Sequence, residues 1–382
     1  MFDEIVNRKG TSCAKYDALE TYFGYSDLQP LWVADMDFKT PDVINDAIIK
    51  RATHGVYGYA KPTTKTYNLV KEWMKKRHSW EIDTAWISFC NGVVPAYSAA
   101  IEAFSEEGDE IIVQTPVYFP LFNSVKHNNR KVVRNSLKEE NGYYTMDLED
   151  LKSKITSKSK ILVLCSPHNP VGRVWTKEEL EELAKICIEH NLLIISDEIH
   201  ADLVFKKFTP MASLSKEISN ITLTLNSAGK TFNIAGLNCS YSICENKEIK
   251  EKFDKELAKR EIASVNVFGY TALEAAYEFG EEWLEELKKY LKKNIEFTKE
   301  YLLKSNSKVQ FLEPEATYLL WLNFKNTELK HKEIKNMLFE KSKVALNDGR
   351  SFGVEGDSYF RLNCALPTSQ LEEGLGKIVT YF

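Results

Sequence analysis

Four short apolar runs constrain the fold of this chain more than any other feature of its sequence. Each is rich in β-branched residues or leucine and ends in polar or turn-forming residues. The runs are EIIVQTP (110–116), KILVLCSP (160–167), LLIISDE (192–198) and ITLTLNS (221–227). Compact apolar runs separated by helical stretches are typical of parallel strands that are buried on both faces of a sheet. We therefore predict a mostly parallel sheet.

The stretch between the second and third runs has the pattern of an amphipathic helix. Its apolar side chains recur at helical spacing over residues 176–191 and share one face: Leu180, Leu183, Ala184, Cys187 and Ile188. Thr176 and Glu179 have the spacing of a capping box, in which each side chain binds the other residue's backbone N–H. Strands that alternate with such helices predict a three-layer α/β fold with helical crossovers.

The pattern changes after about residue 245, where long charged helices dominate. The pattern predicts one such helix over residues 280–305 and two strands, in ATYLLWLNF and SYFRLNCA. We expect a large α/β domain over residues 46–280. Residues 1–45 and 281–382 would form a smaller α+β domain.

Composition excludes several classes of partner. The formal net charge is −5, which argues against nucleic acid because a phosphate backbone requires a basic face. Seven scattered cysteines without a Cys-x-x-Cys motif indicate free thiols in a reducing compartment, with no metal site. The apolar runs are too short to span a bilayer. We expect a cytoplasmic protein that binds neither membrane nor nucleic acid.

Polar residues follow directly on the four apolar runs. Ligands of open parallel sheets bind beyond the carboxyl ends of the strands. The residues expected at this edge are Thr115–Tyr118, Ser166–Asn169, Ser196–His200 and Ser227–Lys230. A tyrosine, an asparagine, an aspartate, a histidine and a lysine would therefore converge on one crevice.

Lys230 lies in an unusually neutral stretch, NSAGKTFNIAGLNCS (226–240), with no acid in the ten positions before it or the fourteen after it. A partly buried lysine with few nearby carboxylates has a lowered pKa and can act as an amine nucleophile. An amine together with an acid that holds a pyridinium proton suggests pyridoxal phosphate (PLP). In SFCNGVVPAYSAAIEAF (88–104), a strand, a glycine and a helix N-terminus form a candidate phosphate cup, to which Ser227 would add a hydroxyl.

Eight motifs in order extend this reading to nearly the whole chain: LWVADMDFKTP, GVYGYAKP, TPVYFP, CSPHNPVGRVWTKEEL, ISDEIHADL, SAGKTFNIAGL, ATYLLWL and YFRLNCALP. With these motifs the sequence resembles the fold-type-I PLP enzymes of the class I/II aminotransferase superfamily. It is more closely similar to the branch of cystathionine β-lyase-like C–S lyases. The resemblance implies a PLP-dependent transferase fold with an amino-acid substrate.

The resemblance also implies roles for residues that contact the cofactor ring. Lys230 would link covalently to PLP and then move the substrate's Cα proton. Asp197 would pair with the pyridine nitrogen, and Asn169 would donate to the phenolic oxygen of the ring. Tyr118 would stack on the ring and act in catalysis beside Lys230, and His200 would lie next to the cofactor.

Further residues would hold the phosphate and the substrate. The backbone N–H groups of Gly92 and Val93, with the hydroxyl of Ser227, would bind the phosphate. Arg361 would bind the substrate carboxylate in two-point fashion, as lysine could not. Tyr59 would reach the phosphate from the second subunit of a homodimer.

Two positions depart from the pattern of aspartate aminotransferases. Those enzymes carry a tyrosine three residues after the pairing aspartate, where this chain has His200. They also carry a phosphate-binding arginine eight residues after the lysine, where this chain has Asn238. Both departures agree with the C–S lyase branch. They favour α,β-elimination of L-cystathionine or related S-substituted cysteines to a thiol, pyruvate and ammonia. An aminotransferase is the alternative, and a PLP-binding regulator is a third reading.

Simpler structural readings remain open for several of these residues. His200 is as consistent with a packed core histidine as with a participant. By spacing alone, Tyr57 is as plausible as Tyr59 for the phosphate contact from the second subunit. Arg361 would alternatively make a structural ion pair, and Asp197 would alternatively cap a helix.

Overall fold

A computed structural model describes all 382 residues of the chain. Strands and helices alternate through its first two-thirds, as the sequence predicts. The strands are β1 (Gln29–Pro30), β2 (Ile87–Cys90), β3 (Glu110–Thr115), β4 (Lys131–Ser136), β5 (Lys138–Glu140), β6 (Tyr143–Thr145), β7 (Ser159–Cys165), β8 (Leu193–Asp197), β9 (Thr222–Asn226), β10 (Ser240–Ile243), β11 (Leu319–Asn323), β12 (Val344–Ala345), β13 (Asn347–Asp348) and β14 (Tyr359–Asn363).

The α-helices range from single turns to the long α13. They are α1 (Ala14–Asp17), α2 (Leu19–Phe23), α3 (Asp42–Thr53), α4 (Thr64–His78), α5 (Val93–Phe104), α6 (Phe119–His127), α7 (Leu148–Lys154), α8 (Lys177–Glu189), α9 (Lys216–Ser219), α10 (Ala228–Thr231), α11 (Lys247–Lys259), α12 (Val267–Phe279), α13 (Glu281–Lys304), α14 (His331–Asn336) and α15 (Thr368–Val379).

A seven-stranded sheet in the order β2-β10-β9-β8-β7-β3-β4 forms the centre of the molecule. Its strands from β9 to β4 are all parallel, and only β10 runs antiparallel to both of its neighbours. The four apolar runs are the adjacent strands β3, β7, β8 and β9. The predicted α/β fold with a mostly parallel sheet is therefore confirmed.

Helices cover both faces of this sheet. On β3, Ile111 and Val113 belong to an apolar cluster that includes α5 and α6, whereas Ile112 belongs to a second cluster that includes α8. Alternate residues of a strand point to opposite faces. The sheet is thus the middle of three layers.

The capping box predicted for the crossover helix is confirmed. The Thr176 side chain accepts the N–H of Glu179, and the Glu179 carboxylate accepts the N–H of Thr176. The four apolar residues Leu180, Leu183, Ala184 and Cys187 are buried, and Ile188 is half-buried. Periodicity alone was sufficient to define this element.

A second, antiparallel sheet in the order β11-β14-β13 lies in the C-terminal part of the chain. Both of its longer strands and helix α13 were predicted from sequence. One apolar cluster contains Phe2 and Ile44, Phe232, and Leu375, which come from residues 1–45, 46–280 and 281–382 respectively. A continuous core therefore crosses both of the predicted domain boundaries. The division into domains of 46–280 and of 1–45 with 281–382 stays a prediction. No helix is both long and apolar enough to cross a membrane.

Candidate active site

A cavity of about 320 Å³ lies at the carboxyl ends of the parallel strands. Its volume is in the range of small-molecule and cofactor sites. Eight of the predicted site residues line it: Gly92, Val93, Tyr118, Asn169, Asp197, His200, Ser227 and Lys230. The convergence expected from the strand ends is therefore present. Arg361 adjoins this cavity through Asn169, and Tyr59 lies elsewhere.

Lys230 lies on the short helix α10, which Ser227 caps by accepting the N–H of Gly229 at 3.0 Å. The Lys230 amine donates to the backbone carbonyl of Ala34 at 2.5 Å. Burial lowers its pKa to about 8, opposed by the negative charges of Asp35 and Asp197 and assisted by the positive charge of Arg361. A fraction of this amine is therefore unprotonated near neutral pH.

Asp197 is the last residue of β8 and is buried. Its Oδ1 accepts the N–H of Ile199 at 3.2 Å, and its Oδ2 has no hydrogen-bond donor within the protein. Burial raises the pKa of this carboxyl to about 6. Residues 199–202 form turns and no helix begins there, so Asp197 caps no α-helix. Its free oxygen faces the cavity as an acceptor for a ligand's N–H.

Arg361 is a buried cation that has no acidic partner within ion-pair distance. Its guanidinium donates to Asn169 Oδ1 at 3.0 Å, Asn347 Oδ1 at 2.6 Å and the Trp32 carbonyl at 3.1 Å, while its Nε has no partner. Burial lowers its pKa to about 10. The structural ion-pair reading of Arg361 is therefore wrong, and this cation can receive a carboxylate.

The same contact fixes the orientation of the Asn169 amide. A guanidinium carries only donors, so Asn169 must present its oxygen to Arg361. Its NH₂ group then faces away as a donor. The family resemblance predicts that this NH₂ group donates a hydrogen bond to the phenolic oxygen of the PLP ring.

His200 and Tyr118 form part of the cavity wall. His200 is buried with its ring edge against Tyr318, at a centroid distance of 6.2 Å. Burial and the positive charges of Lys230 and Arg361 lower the pKa of His200 to about 3, so its imidazole is neutral. Tyr118 is half-buried at the N-terminus of α6, and burial raises its pKa. The stacking role of Tyr118 stays a prediction.

The residues of the candidate phosphate cup lie at the N-terminus of α5, where Gly92 is the N-cap and Val93 the first residue. The first N–H groups of a helix have no intrahelical acceptor. The Ser227 hydroxyl, however, donates to the Cys239 carbonyl at 2.7 Å, so its proton is directed away from a ligand in this conformation. Asn91, Asn238 and Ser240 line the same region. The sequence analysis singled out Asn238 but assigned neither Asn91 nor Ser240 to it.

Tyr59 is fully exposed in residues 55–63, which have no regular structure. Its neighbour Tyr57 donates its hydroxyl to the Ala52 carbonyl. A single chain does not bring Tyr59 into the cavity, so its predicted contribution across a dimer stays a prediction.

The chain matches the family model described as "Aminotransferase class I and II" over residues 28–378. It belongs to the class I and II aminotransferase family. The predicted family is therefore confirmed. Residue-level roles within that family still depend on the geometry of this chain's own cavity.

Individual members of the family are similar over the full length. "Cystathionine beta-lyase PatB" of Bacillus subtilis (strain 168) is 41% identical over 380 residues, covering 99% of this chain and 98% of the relative. A PLP-bound aminotransferase candidate from Clostridium difficile 630 has a TM-score of 0.97 at 43% identity, with 99% and 98% covered. The PLP-bound C–S lyase from Staphylococcus hominis has a TM-score of 0.92 at 30% identity, with 100% and 97% covered.

The donors and acceptors of the cavity fit PLP. The free Oδ2 of Asp197 suits a protonated ring nitrogen, the NH₂ of Asn169 suits a ring oxygen, and the N-terminus of α5 suits a phosphate. Lys230 provides the amine that an aldehyde requires. Asn238 makes this cup poor in positive charge, so backbone groups must contribute more to phosphate binding.

Proposed function

We propose that this protein is a PLP-dependent C–S β-lyase. Its substrates are S-substituted cysteines such as L-cystathionine, and its products are a thiol, pyruvate and ammonia. One observation carries the proposal: Lys230 and Asp197 line one cavity, the Arg361 guanidinium adjoins it through Asn169, and neither cation has an ion-pair partner. The name of the full-length relative PatB, a cystathionine β-lyase, supports the choice of reaction.

The residues of the cavity would hold PLP from several sides. Lys230 would bind its aldehyde carbon, Asp197 would keep its ring nitrogen protonated, and Asn169 would donate to its ring oxygen. Tyr118 would pack against its ring. When bound, PLP supplies an electron-withdrawing ring that stabilises the negative charge left at Cα after proton loss.

The chain's own residues supply binding and proton transfer. Arg361 binds the substrate carboxylate, and its contacts to Asn169 and Asn347 fix the plane of its guanidinium. Lys230, whose pKa of about 8 leaves part of the amine neutral, removes the Cα proton. The bond between Cβ and sulfur then breaks with its electron pair on sulfur, and the thiolate takes up a proton. One water is consumed as the three-carbon remainder becomes pyruvate and ammonium.

An aminotransferase is the second candidate because the family model carries that description. Both reactions begin with loss of the same Cα proton, so Lys230, Asp197 and Arg361 serve either one. They differ in whether a group leaves from Cβ. Only a transamination needs a keto-acid acceptor.

The location and assembly of the protein are part of the same proposal. Free thiols at all seven cysteines suit a reducing cytoplasm. Tyr59 is exposed outside the cavity of its own chain, which suits a homodimer in which it completes the phosphate site of the partner.

The assay that tests the reaction supplies L-cystathionine to the PLP-loaded protein without any keto acid. We expect pyruvate and free thiol to form in equal amounts. Lys230→Ala should abolish both, whereas Lys207→Ala, at an exposed lysine with no ion-pair partner, should leave the rate unchanged. Product formation that depends strictly on an added keto acid would establish transamination instead.

A further inference from the structure

Residues 32–38 (WVADMDF) form part of the wall beside the functional cations and have no regular secondary structure. Nevertheless, every backbone carbonyl from Trp32 to Met36 accepts a side-chain hydrogen bond. The donors are Arg361 to Trp32 (3.1 Å), Asn363 to Val33 and Asp35 (2.6 Å each), Lys230 and Tyr318 to Ala34 (2.5 and 2.9 Å), and Arg8 and Asn233 to Met36 (3.1 and 3.0 Å). This segment therefore holds both Lys230 and Arg361 through main-chain oxygens.

Two cations, Arg8 and Lys15, pair with two carboxylates of the segment, Asp35 and Asp37, and we call these four side chains the N-terminal ion cluster. Lys15 is fully buried and lies 2.7 Å from Asp37 Oδ2 and 3.7 Å from Asp35 Oδ1. Arg8 contacts Asp35 at 2.7 Å and Asp37 at 2.5 Å. The cluster contains two cations and two carboxylates, so its formal charge is zero.

Lys15 and Asp37 are buried, whereas Arg8 and Asp35 are partly exposed. Burial of charges is expensive and is seldom the most stable way to fill a core. An apolar cluster of the same volume would anchor the segment at least as well. The charges therefore indicate a role in the local electrostatic potential. Asp35 is the link, because it belongs to the ion cluster and also adjoins Ala34, whose carbonyl receives the Lys230 amine.

We propose that the N-terminal ion cluster is a positioning and electrostatic element for Lys230, which fixes the Ala34 carbonyl as the acceptor of the free amine and sets the charge that the amine experiences. The inference deepens the proposed function and depends on it, because a free Lys230 amine matters only if Lys230 transfers protons. Arg8, Lys15 and Asp37 act through Ala34 and Asp35 and are positioning residues.

The groups that face Lys230 determine the sign of each effect. Asp35 and Asp197 stabilise the protonated amine, whereas Arg361 destabilises it. His200 and Tyr318, which also lie here, are neutral because their pKa values are shifted away from the neutral range by burial. Loss of the Asp35 charge should therefore lower the pKa of Lys230. Loss of the Lys15 charge leaves the cluster with a net negative charge and should therefore raise the pKa of Lys230.

The test measures the titration of the Lys230 amine in the full-length, cofactor-free chain. Reductive methylation with formaldehyde at a series of pH values, read at Lys230 by mass spectrometry, reports the unprotonated fraction. We expect Asp35→Asn to move the midpoint down and Lys15→Met to move it up, each by about 0.5 pH unit. The double variant restores a neutral cluster and should return the midpoint toward wild type.

Opposite signs distinguish this role from simple loosening of the segment, which would move both variants in one direction. Lys206→Met, which removes an ion pair with Glu315 at 2.5 Å, is the matched control and should leave the midpoint unchanged. If Lys15→Met does not fold, Asp35→Asn alone decides, because Asp35 is partly exposed and the change preserves its shape. An unchanged midpoint in a folded Asp35→Asn variant overturns the inference.

This measurement involves neither substrate nor turnover. A negative result in the acceptor-free assay would thus refute the proposed reaction without altering the titration. An unshifted midpoint in an active lyase would refute only the role of the ion cluster.

Discussion

At the scale of single residues, the two cations Lys230 and Arg361 would carry most of the proposed chemistry, and neither has an ion-pair partner. Their hydrogen bonds go to amide and carbonyl oxygens, which orient the cations without neutralising them. An incoming anion therefore meets cations that are already positioned. Such preorganisation lowers the cost of binding.

The pH dependence of turnover tests the proposed role of Lys230. The amine acts as a base only when unprotonated, and burial lowers its pKa to about 8, so kcat should rise as the pH increases toward 8. Asp197, with its pKa raised to about 6, must be ionised to hold a ring proton, so kcat should fall further below pH 6. Measuring kcat excludes titration of the free substrate's amino group. A flat kcat between pH 5 and 9 would contradict both roles.

The sequence predicted these site residues where a side chain follows directly on a buried strand. It could not predict the Ala34 carbonyl, because any residue type has a main-chain oxygen. The strand ends predicted that Asp197 lies near Lys230, but nothing in the sequence indicated that Asp35 approaches it as well. The residues next to Lys230 in sequence do not reveal which charged side chains the fold brings close to it from other segments.

At the scale of elements, the parallel strands β3, β7, β8 and β9 set the position of the site. Their apolar periodicity was strong enough for prediction from sequence. Strands β1 and β12 were not predicted, since each contains two residues and too short a pattern for a period. They pair in parallel with each other through contacts that only the tertiary fold creates.

The capping box of α8 provides a test of stability at this scale. Thr176→Ala removes the acceptor for the N–H of Glu179 and should lower the free energy of unfolding by about 1 kcal/mol. Chemical denaturation of the full-length protein measures this change. Thr53→Ala, at an exposed position near the end of α3, is the control and should change stability by only a few tenths of a kcal/mol. An equal effect from both variants would show that the cap contributes nothing specific.

At the scale of the whole molecule, the chain presents an exposed apolar segment away from its own cavity. Val56, Tyr57 and Tyr59 are all exposed within residues 55–63. Exposed aromatic residues of this kind often mark contacts between subunits. The proposed homodimer would bury this segment and deliver Tyr59 to the partner's phosphate cup.

Subunit complementation tests that assembly. Tyr59→Ala and Lys230→Ala should each be inactive or nearly so as pure proteins. After equal amounts are mixed and allowed to exchange subunits, about half of the dimers are hybrids. Each hybrid has one of its two sites with both residues intact, so activity should return to about a quarter of that of wild type. Activity that stays at the level of the separate variants would show that Tyr59 does not act across an interface.

The central claim is that Lys230 is the amine that binds PLP, and peptide mapping after reduction tests it most directly. The purified protein is incubated with PLP, reduced with borohydride, digested and analysed by mass spectrometry. We expect a stable phosphopyridoxyl group on Lys230, within residues 226–240, and on no other lysine in stoichiometric amount. A protein that remains unmodified at Lys230, or carries the group on a different lysine, would contradict it.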